Sequence, residues 1–222
     1  MMDTAPFLVS VRLAFAVTAA LLAICLPLVR FRLASTGPIA AILESVAVLP
    51  MVLPPTVVGF FFLAAFSPTA PVGAALDSLF GVRLLFTFPG LVLACSVTCF
   101  PFMYQSLKAS MLAVDPRLLE TSYTLGKGRA ETFFRVLLPN ILPGLVSGTV
   151  LTFAHAVGEF GVVLMVGGSI AGKTKTASIA LFEALEAFDK ISARGYALVM
   201  LAASFAFIAL VNSLQRDGRR LP

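Results

Sequence analysis

Five stretches of this chain, residues 7–29, 46–66, 84–107, 141–166 and 196–214, are almost wholly apolar, and each is close to the ~20 residues that cross a bilayer as one helix. A lipid interior offers no partner to backbone N–H and C=O groups, so runs of this kind are stable there only as helices that satisfy their own backbone. The remaining composition agrees. Apolar residues make up 59% of the chain and charged ones 12%, about half the charged share of an ordinary soluble domain, so a water-facing globule could not cover its surface. Disorder, a disulfide scaffold and a self-contained soluble enzyme are excluded on the same ground. The expectation is an all-α integral membrane protein with about five transmembrane helices, a single domain over residues 1–222 with its core at about 7–214. The first run does not read as a signal peptide, because Asp3 and a single base, Arg12, precede a long apolar stretch with no small-residue cleavage site.

The net charge of +5 reads as topology and not as a nucleic-acid footprint, since Lys and Arg gather in cytoplasmic loops. Of the 16 bases, ten fall in one set of loops: Arg30, Arg32, Lys108, Arg117, Lys127, Arg129, Arg135, Arg216, Arg219 and Arg220. Six fall in the other: Arg12, Arg83, Lys173, Lys175, Lys190 and Arg194. The larger set marks the cytoplasm, which places the N-terminus outside and the C-terminus inside. The long loop at about 108–139 is then cytoplasmic. Asp115-Pro116 can cap and begin a short helix there, and Leu138-Pro139 closes the loop before the fourth span. The loop at about 167–195 is outside. In it Ile179, Phe182, Leu185 and Phe188 recur at helical spacing, with Glu183 and Glu186 between them, which predicts an amphipathic helix at the outer interface or over a pore mouth.

Several motifs carry a chemical reading beside a plain one. Gly167-Gly168-Ser169-Ile170-Ala171-Gly172-Lys173-Thr174 fits the phosphate-loop pattern. A working phosphate loop needs a parallel sheet and a metal-holding acid, for which the space between two spans is too small, so a flexible basic loop meeting an anion or acidic partner, or a solvated turn, is expected instead. Cys25, Cys95 and Cys99 lack nearby His or Cys co-ligands and read as packing residues, so no metal site is expected. His155 and Glu159 stand at i and i+4 on the fourth span. Ionisable groups at that depth belong to a pathway or gate, to a structural pair, or to a hydrated end. Pro50, Pro54 and Pro55, followed by Gly59, predict a kinked or unwound second span, either for packing or to open backbone groups toward a cavity.

The 108–139 loop holds the most specific pattern. Glu120, Thr121 and Ser122 are followed after three residues by Gly126, and after nine more by Arg135-Val136-Leu137-Leu138-Pro139. This resembles the EAA loop by which permeases of ABC importers engage their ATPases, with Thr121 and Ser122 in place of two alanines and Val136 in place of isoleucine. Physically it describes a stiff knob, a short helix and a glycine turn tied to the next span, able to pass a partner's motion into the membrane. The segments V-L-P-P-T-V-V-G-F at residues 52–60, L-E-T-S-Y-T-L-G at 119–126, V-L-L-P-N-I-L-P-G-L at 136–145 and G-E-F-G at 158–161 extend the resemblance to molybdate ABC transporter permeases, with sulfate/thiosulfate permeases as near relatives.

The resemblance implies the type I ABC importer permease fold and a homodimer in the inner membrane. It also implies two cytoplasmic ATPases that bind ATP and Mg, and an extracytoplasmic binding protein that delivers a tetrahedral oxyanion: molybdate, with tungstate also possible, or sulfate. This chain would be a transport subunit without cofactor or enzymatic activity, with lipid as its surroundings. Glu120, Thr121, Ser122, Gly126, Leu138 and Pro139 would couple to the ATPase. Packing argues independently for two copies, because five helices at ~10 Å spacing enclose no central path. The spans lack a buried Lys or Arg, so passage is expected along neutral donors: the hydroxyls of Thr56, Ser147, Thr149 and Thr152, and amides freed near Pro54 and Pro55, with His155 and Glu159 at the gate. A membrane phosphotransferase would rest on the phosphate-loop pattern alone, and a passive anchor would need neither kinked span nor buried ionisable pair.

Overall fold

A computed structural model describes residues 3–33 and 37–217, and the regular structure among them is entirely helical. Helices α1 (Ala5–Leu33), α2 (Pro38–Val52), α3 (Pro55–Phe66), α4 (Pro71–Phe80), α5 (Phe88–Leu112), α6 (Pro116–Thr124) and α7 (Arg129–Thr132) come first. A π-helical turn (Phe133–Leu137) leads on to α8 (Leu138–Gly158), α9 (Gly161–Gly167), α10 (Ala177–Glu186) and α11 (Lys190–Asp217). The last three bases of the larger set include Arg219 and Arg220, which lie outside the described residues.

The centre of the molecule is the triangle α1, α5 and α8. Leu13, Val17, Leu21, Cys25 and Val29 recur every four residues on α1, and Leu91, Cys95, Cys99, Met103, Leu107 and Met111 do the same on α5. Two rows of i±4 residues form the ridges that pack helix into helix. The three cysteines are buried free thiols inside these rows. Helix α8 closes on α5 through small residues: a Cβ at Gly144 would sit 2.3 Å from Ser110 Cβ, and Ser110 Oγ donates to the Ile141 carbonyl at 3.0 Å. Close backbone approach of this kind replaces the hydrophobic drive that lipid cannot supply.

Four helical stretches are long and apolar enough to cross a membrane: Ala5–Leu33, Phe88–Leu112, Arg129–Gly158 and Lys190–Ala209. Ile42–Val52 and Pro55–Phe66 supply a fifth as a pair bent by 111°. The bend expected in the second run is therefore a complete break at Leu53 and Pro54, where successive prolines remove two amide donors. Several boundaries differ from the sequence reading, and three of them have a visible local cause. The third span starts at Phe88 rather than residue 84, because Thr87 caps it, its Oγ1 accepting from Gly90 N at 3.3 Å. The fourth stops at Gly158, with residues 161–167 forming the separate helix α9. Leu138 and Pro139 do not end the preceding loop, since helix runs unbroken from Arg129 through them. The π turn just before Pro139 absorbs it: Leu138 N bonds back to Phe133 O, a wider turn that relieves the proline's clash with the carbonyl four residues earlier.

Candidate functional site

The 108–139 segment folds as a knob. Asp115 begins α6 by accepting from Arg117 N at 2.9 Å, and Pro116 follows at the first helical position, where its missing donor costs nothing. Gly126 ends the helix at φ +76°, a left-handed conformation that glycine adopts without strain, while Lys127 N returns to the Ser122 carbonyl at 3.1 Å. A tie unforeseen from sequence joins the knob's two halves: the buried Ser122 and Thr132 hydroxyls share a hydrogen bond of 2.9 Å. Ser122, one of the positions where the chain departs from the EAA-loop pattern, supplies one end of that bond. Lys127 and Arg135 flank Glu131 at 2.8 and 3.1 Å. Glu120 is exposed and makes neither ion pair nor hydrogen bond among the described residues, while the cap expected of Asp115 is in place. Thr121 is also exposed, its hydroxyl bonded to the Arg117 carbonyl. Leu118, Tyr123 and Leu125 leave an apolar face open on the knob, Leu125 being 73% exposed.

Two helix breaks meet on another part of the molecule. Pro55 lies against the gap between α8 and α9, where a Cβ at Gly161 would stand 3.1 Å from Pro55 Cβ, and further along α3 a Cβ at Gly59 would stand 2.9 Å from Met165 Sδ. Glu159 occupies the gap in extended backbone (ψ 130°), so it follows α8 rather than continuing its face. Its buried carboxylate nevertheless reaches His155 Nε2 at 3.3 Å and accepts from Val162 N at 3.3 Å, capping α9. The His155 ring packs on Phe102 with centroids 4.4 Å apart. Ser178 Oγ donates to the Glu159 carbonyl at 2.8 Å, which joins the outer loop to the break.

The structure sorts the expected pathway donors. Pro54, Pro55 and Thr56 are exposed at the junction. Ser147 and Thr149 bond back to the Pro143 and Leu145 carbonyls at 2.9 and 2.8 Å, the common fate of hydroxyls within helices. Thr152 is wholly buried between helices and its hydroxyl has no partner among the described residues. In this conformation it lines no open surface.

The Gly167–Thr174 stretch follows a helix, and among the described residues there is no strand to make a phosphate loop. It is folded rather than flexible: buried Thr174 donates to the Gly167 carbonyl at 2.7 Å and accepts from Ile170 N at 3.1 Å. The hydroxyl that would hold magnesium is thus used internally. Of the apolar positions expected on α10, Ile179 is buried and Phe182 packs on Phe160 at 5.0 Å. Leu185 is exposed, as is Phe188, which lies past the end of α10 with φ 56°, so only the first half of that face turns inward. Burial raises the Glu183 carboxyl, but the Lys175 ammonium and Ser169 hydroxyl outweigh it and hold the group below its ordinary value. Sequence reasoning also missed Glu44, which pairs with both Arg32 (3.3 Å) and Lys108. Its signal was isolation, as the one acid between Asp3 and Asp77. Among the described residues no group of three His, Cys, Asp or Glu side chains could hold a metal.

Residues 31–216 match the family described as binding-protein-dependent transport system inner membrane component. The chain is 37% identical over 214 residues to the molybdenum transport system permease protein ModB of Azotobacter vinelandii, covering 96% of this chain and 95% of that one. It is 36% identical over 178 residues to ModB of Escherichia coli K12, covering 80% and 77%. The sulfate transport system permease protein CysT of the same strain is 35% identical over 185 residues, covering 83% and 66%. Among solved structures, a bacterial ABC transporter that imports alginate superposes with a TM-score of 0.75 at 15% identity, over 98% of this chain and 82% of that one. The MetNI methionine transporter does so with a TM-score of 0.67 at 16% identity, over 96% and 94%. A kinked span pair, a knob with EAA-loop spacing and these likenesses agree: the chain belongs to the family of inner membrane components of binding-protein-dependent transport systems, as the permease subunit of an ABC importer.

Proposed function

We propose that this permease carries molybdate, with tungstate as a second cargo, inward across the membrane as a homodimer with two cytoplasmic ATPases and an extracytoplasmic binding protein. The N-terminus faces outward. The base count supports this orientation, and so does the grouping of Arg32, Glu44 and Lys108 at one end of the fold while Arg12 and Lys173 line a notch elsewhere. ATP and Mg are held by the ATPases. This chain supplies no catalytic group, and residues 1–222 act as one transmembrane domain in lipid.

The observation that carries the reading is the cross-tied knob. Closure of the ATPases moves α6 through its apolar face, with Glu120, Thr121 and Gly126 at the contact. The Ser122–Thr132 bond passes that motion to a helical stretch running unbroken past Leu138 and Pro139 to Gly158. There the motion meets Glu159 and His155, where α9 and α3 hinge on Pro54 and Pro55. Rigid segments joined by short breaks suit alternating access. The anion passes weak neutral donors, Thr56 at the junction and Ser147, Thr149 and Thr152 on α8 once it turns, and does not meet a fixed cation that would slow release. Discrimination among oxyanions falls to the binding protein.

Proteoliposomes holding the chain, its ATPase and its binding protein test this. Labelled molybdate uptake should require ATP and both partners and should resist excess sulfate. Efficient sulfate uptake with the cognate binding protein would favour the sulfate/thiosulfate reading, which the likeness to CysT keeps open. Uptake without the ATPase would overturn both.

A further inference from the structure

A notch of about 330 Å³ opens between α1, the segment before α5 and the Gly167–Thr174 turn, lined by Arg12, Phe86, Thr87, Phe88, Gly172 and Lys173. On the proposed orientation it faces outward. Two other bases of the same set are neutralised within the chain, Arg83 by Asp77 at 2.8 Å and Lys175 by Glu183. Arg12 and Lys173 make no ion pair among the described residues, although both border the same space. The Arg12 guanidinium lies 5.8 Å from the centroid of the Phe88 ring, which steadies it without cancelling its charge. The notch therefore gathers two uncompensated positive charges on the border of one space.

Its walls are fixed before any partner arrives. Phe86 holds φ 61°, an uncommon value for a bulky residue, and its amide donates to the Val166 carbonyl at 2.8 Å. Thr174 locks the turn that carries Gly172 and Lys173. Ala177 N donates to Ser10 Oγ on α1 at 2.9 Å, two residues before Arg12. Three separate chain segments are thus cross-tied around the opening, and only the two cationic tips are free to adjust.

We propose that this notch receives an acidic side chain of the extracytoplasmic binding protein and sets its approach and register on the permease. The inference rests on the importer reading above. A free oxyanion is the competing occupant, and the exposure of both cations weighs against it. Charges that remain solvated are screened over about 10 Å at 0.1 M salt, too weakly to retain a small mobile anion. The same two charges are well suited to steering a large partner and fixing its orientation. Docking there would also be felt at the gate, because the loop that carries Lys173 continues into α10, whose Ser178 bonds the Glu159 carbonyl.

The test uses the permease–ATPase complex in nanodiscs and, as probe, the binding protein that restores molybdate uptake in proteoliposomes. Association rates are measured at stepped salt concentrations for the wild type, the double charge reversal Arg12→Glu with Lys173→Glu, and the charge-conserving pair Arg12→Lys with Lys173→Arg. Reversal should slow association about tenfold or more at low salt and flatten its salt dependence. The conserving pair should behave as wild type, and ATP hydrolysis without the binding protein should be unchanged in both variants. Equal association by the reversed variant would overturn the proposal, as would molybdate binding to the wild-type complex alone that the reversal abolishes, since the notch would then be an anion site. Failure of the wild type itself to associate would overturn the importer reading beneath it.

Discussion

The two long loops of this chain have opposite constructions. The 108–139 knob is joined internally by the Ser122–Thr132 bond and leaves its tip open, with nothing within 4 Å of where a Gly126 side chain would begin. The 167–195 loop is joined to the body of the protein: Thr174, Thr176 and Ser178 are buried, and bonds run to Ser10 on α1 and to the Glu159 carbonyl. A segment that must be pushed as a unit has to be stiff within itself and open at its face. A segment that reports to a gate has to be tied to that gate. Loop length and a glycine-lysine motif are shared, and the difference lies in where the hydroxyls point.

The widest test of the contrast is sidedness. Single cysteines at exposed Leu125 and Ser169, in a background without Cys25, Cys95 and Cys99, should react with a membrane-impermeant maleimide from opposite faces only. Ser122 is a poor choice because it is buried against Thr132. Labelling of both positions from one face would end the assignment of the knob to the ATPase side.

Next in size is Gly126→Trp. The space around the glycine is open, so the chain should bear only the left-handed strain of about 1–2 kcal/mol and still insert. Co-purification of the ATPase and all uptake should be lost. Gly126→Asn, which tolerates that conformation, should keep both, and normal uptake by the tryptophan variant would take the loop out of the mechanism.

Two threonines sharpen the contrast between tied and untied hydroxyls. Thr174→Val strands the Gly167 carbonyl and Ile170 amide, and should lower stability by about 1–3 kcal/mol in thermal unfolding. Thr152→Val removes a buried hydroxyl that has no partner, so the same measurement should give no loss or a small gain. Uptake by the Thr152 variant should still slow, without a change in anion preference, if α8 turns that hydroxyl to the path during transport. A changed preference would show that the pore itself selects.

The smallest effect expected is with pH. Because Glu183 titrates below its ordinary value, its pairing with Lys175 contributes fully above the unfolded carboxyl range of ~4 and is lost as pH falls through the lower folded value. Hydrogen exchange in the outer loop should be steady from neutral pH down to about 5 once corrected for intrinsic rates. Loosening in that window would mean that Glu183 is not held by Lys175.

Much of the architecture was legible in order along the chain. Apolar run length announced the membrane class and about five spans, since hydrophobic thickness is a property of local sequence. Paired prolines announced the break at residue 54, and the Glu120–Gly126 spacing announced the knob, since caps and turns are set within a few residues. Other features depended on residues far apart meeting. Nothing local distinguishes Thr174, bonded within its turn, from Thr152, left without a partner, or says that Ser122 would find Thr132, Glu44 find Arg32 and Lys108, or Arg12 border the same notch as Lys173. Those outcomes are decided by which chain segments the folded structure brings together, because a hydroxyl or a charge acquires its role only from the partner within its reach.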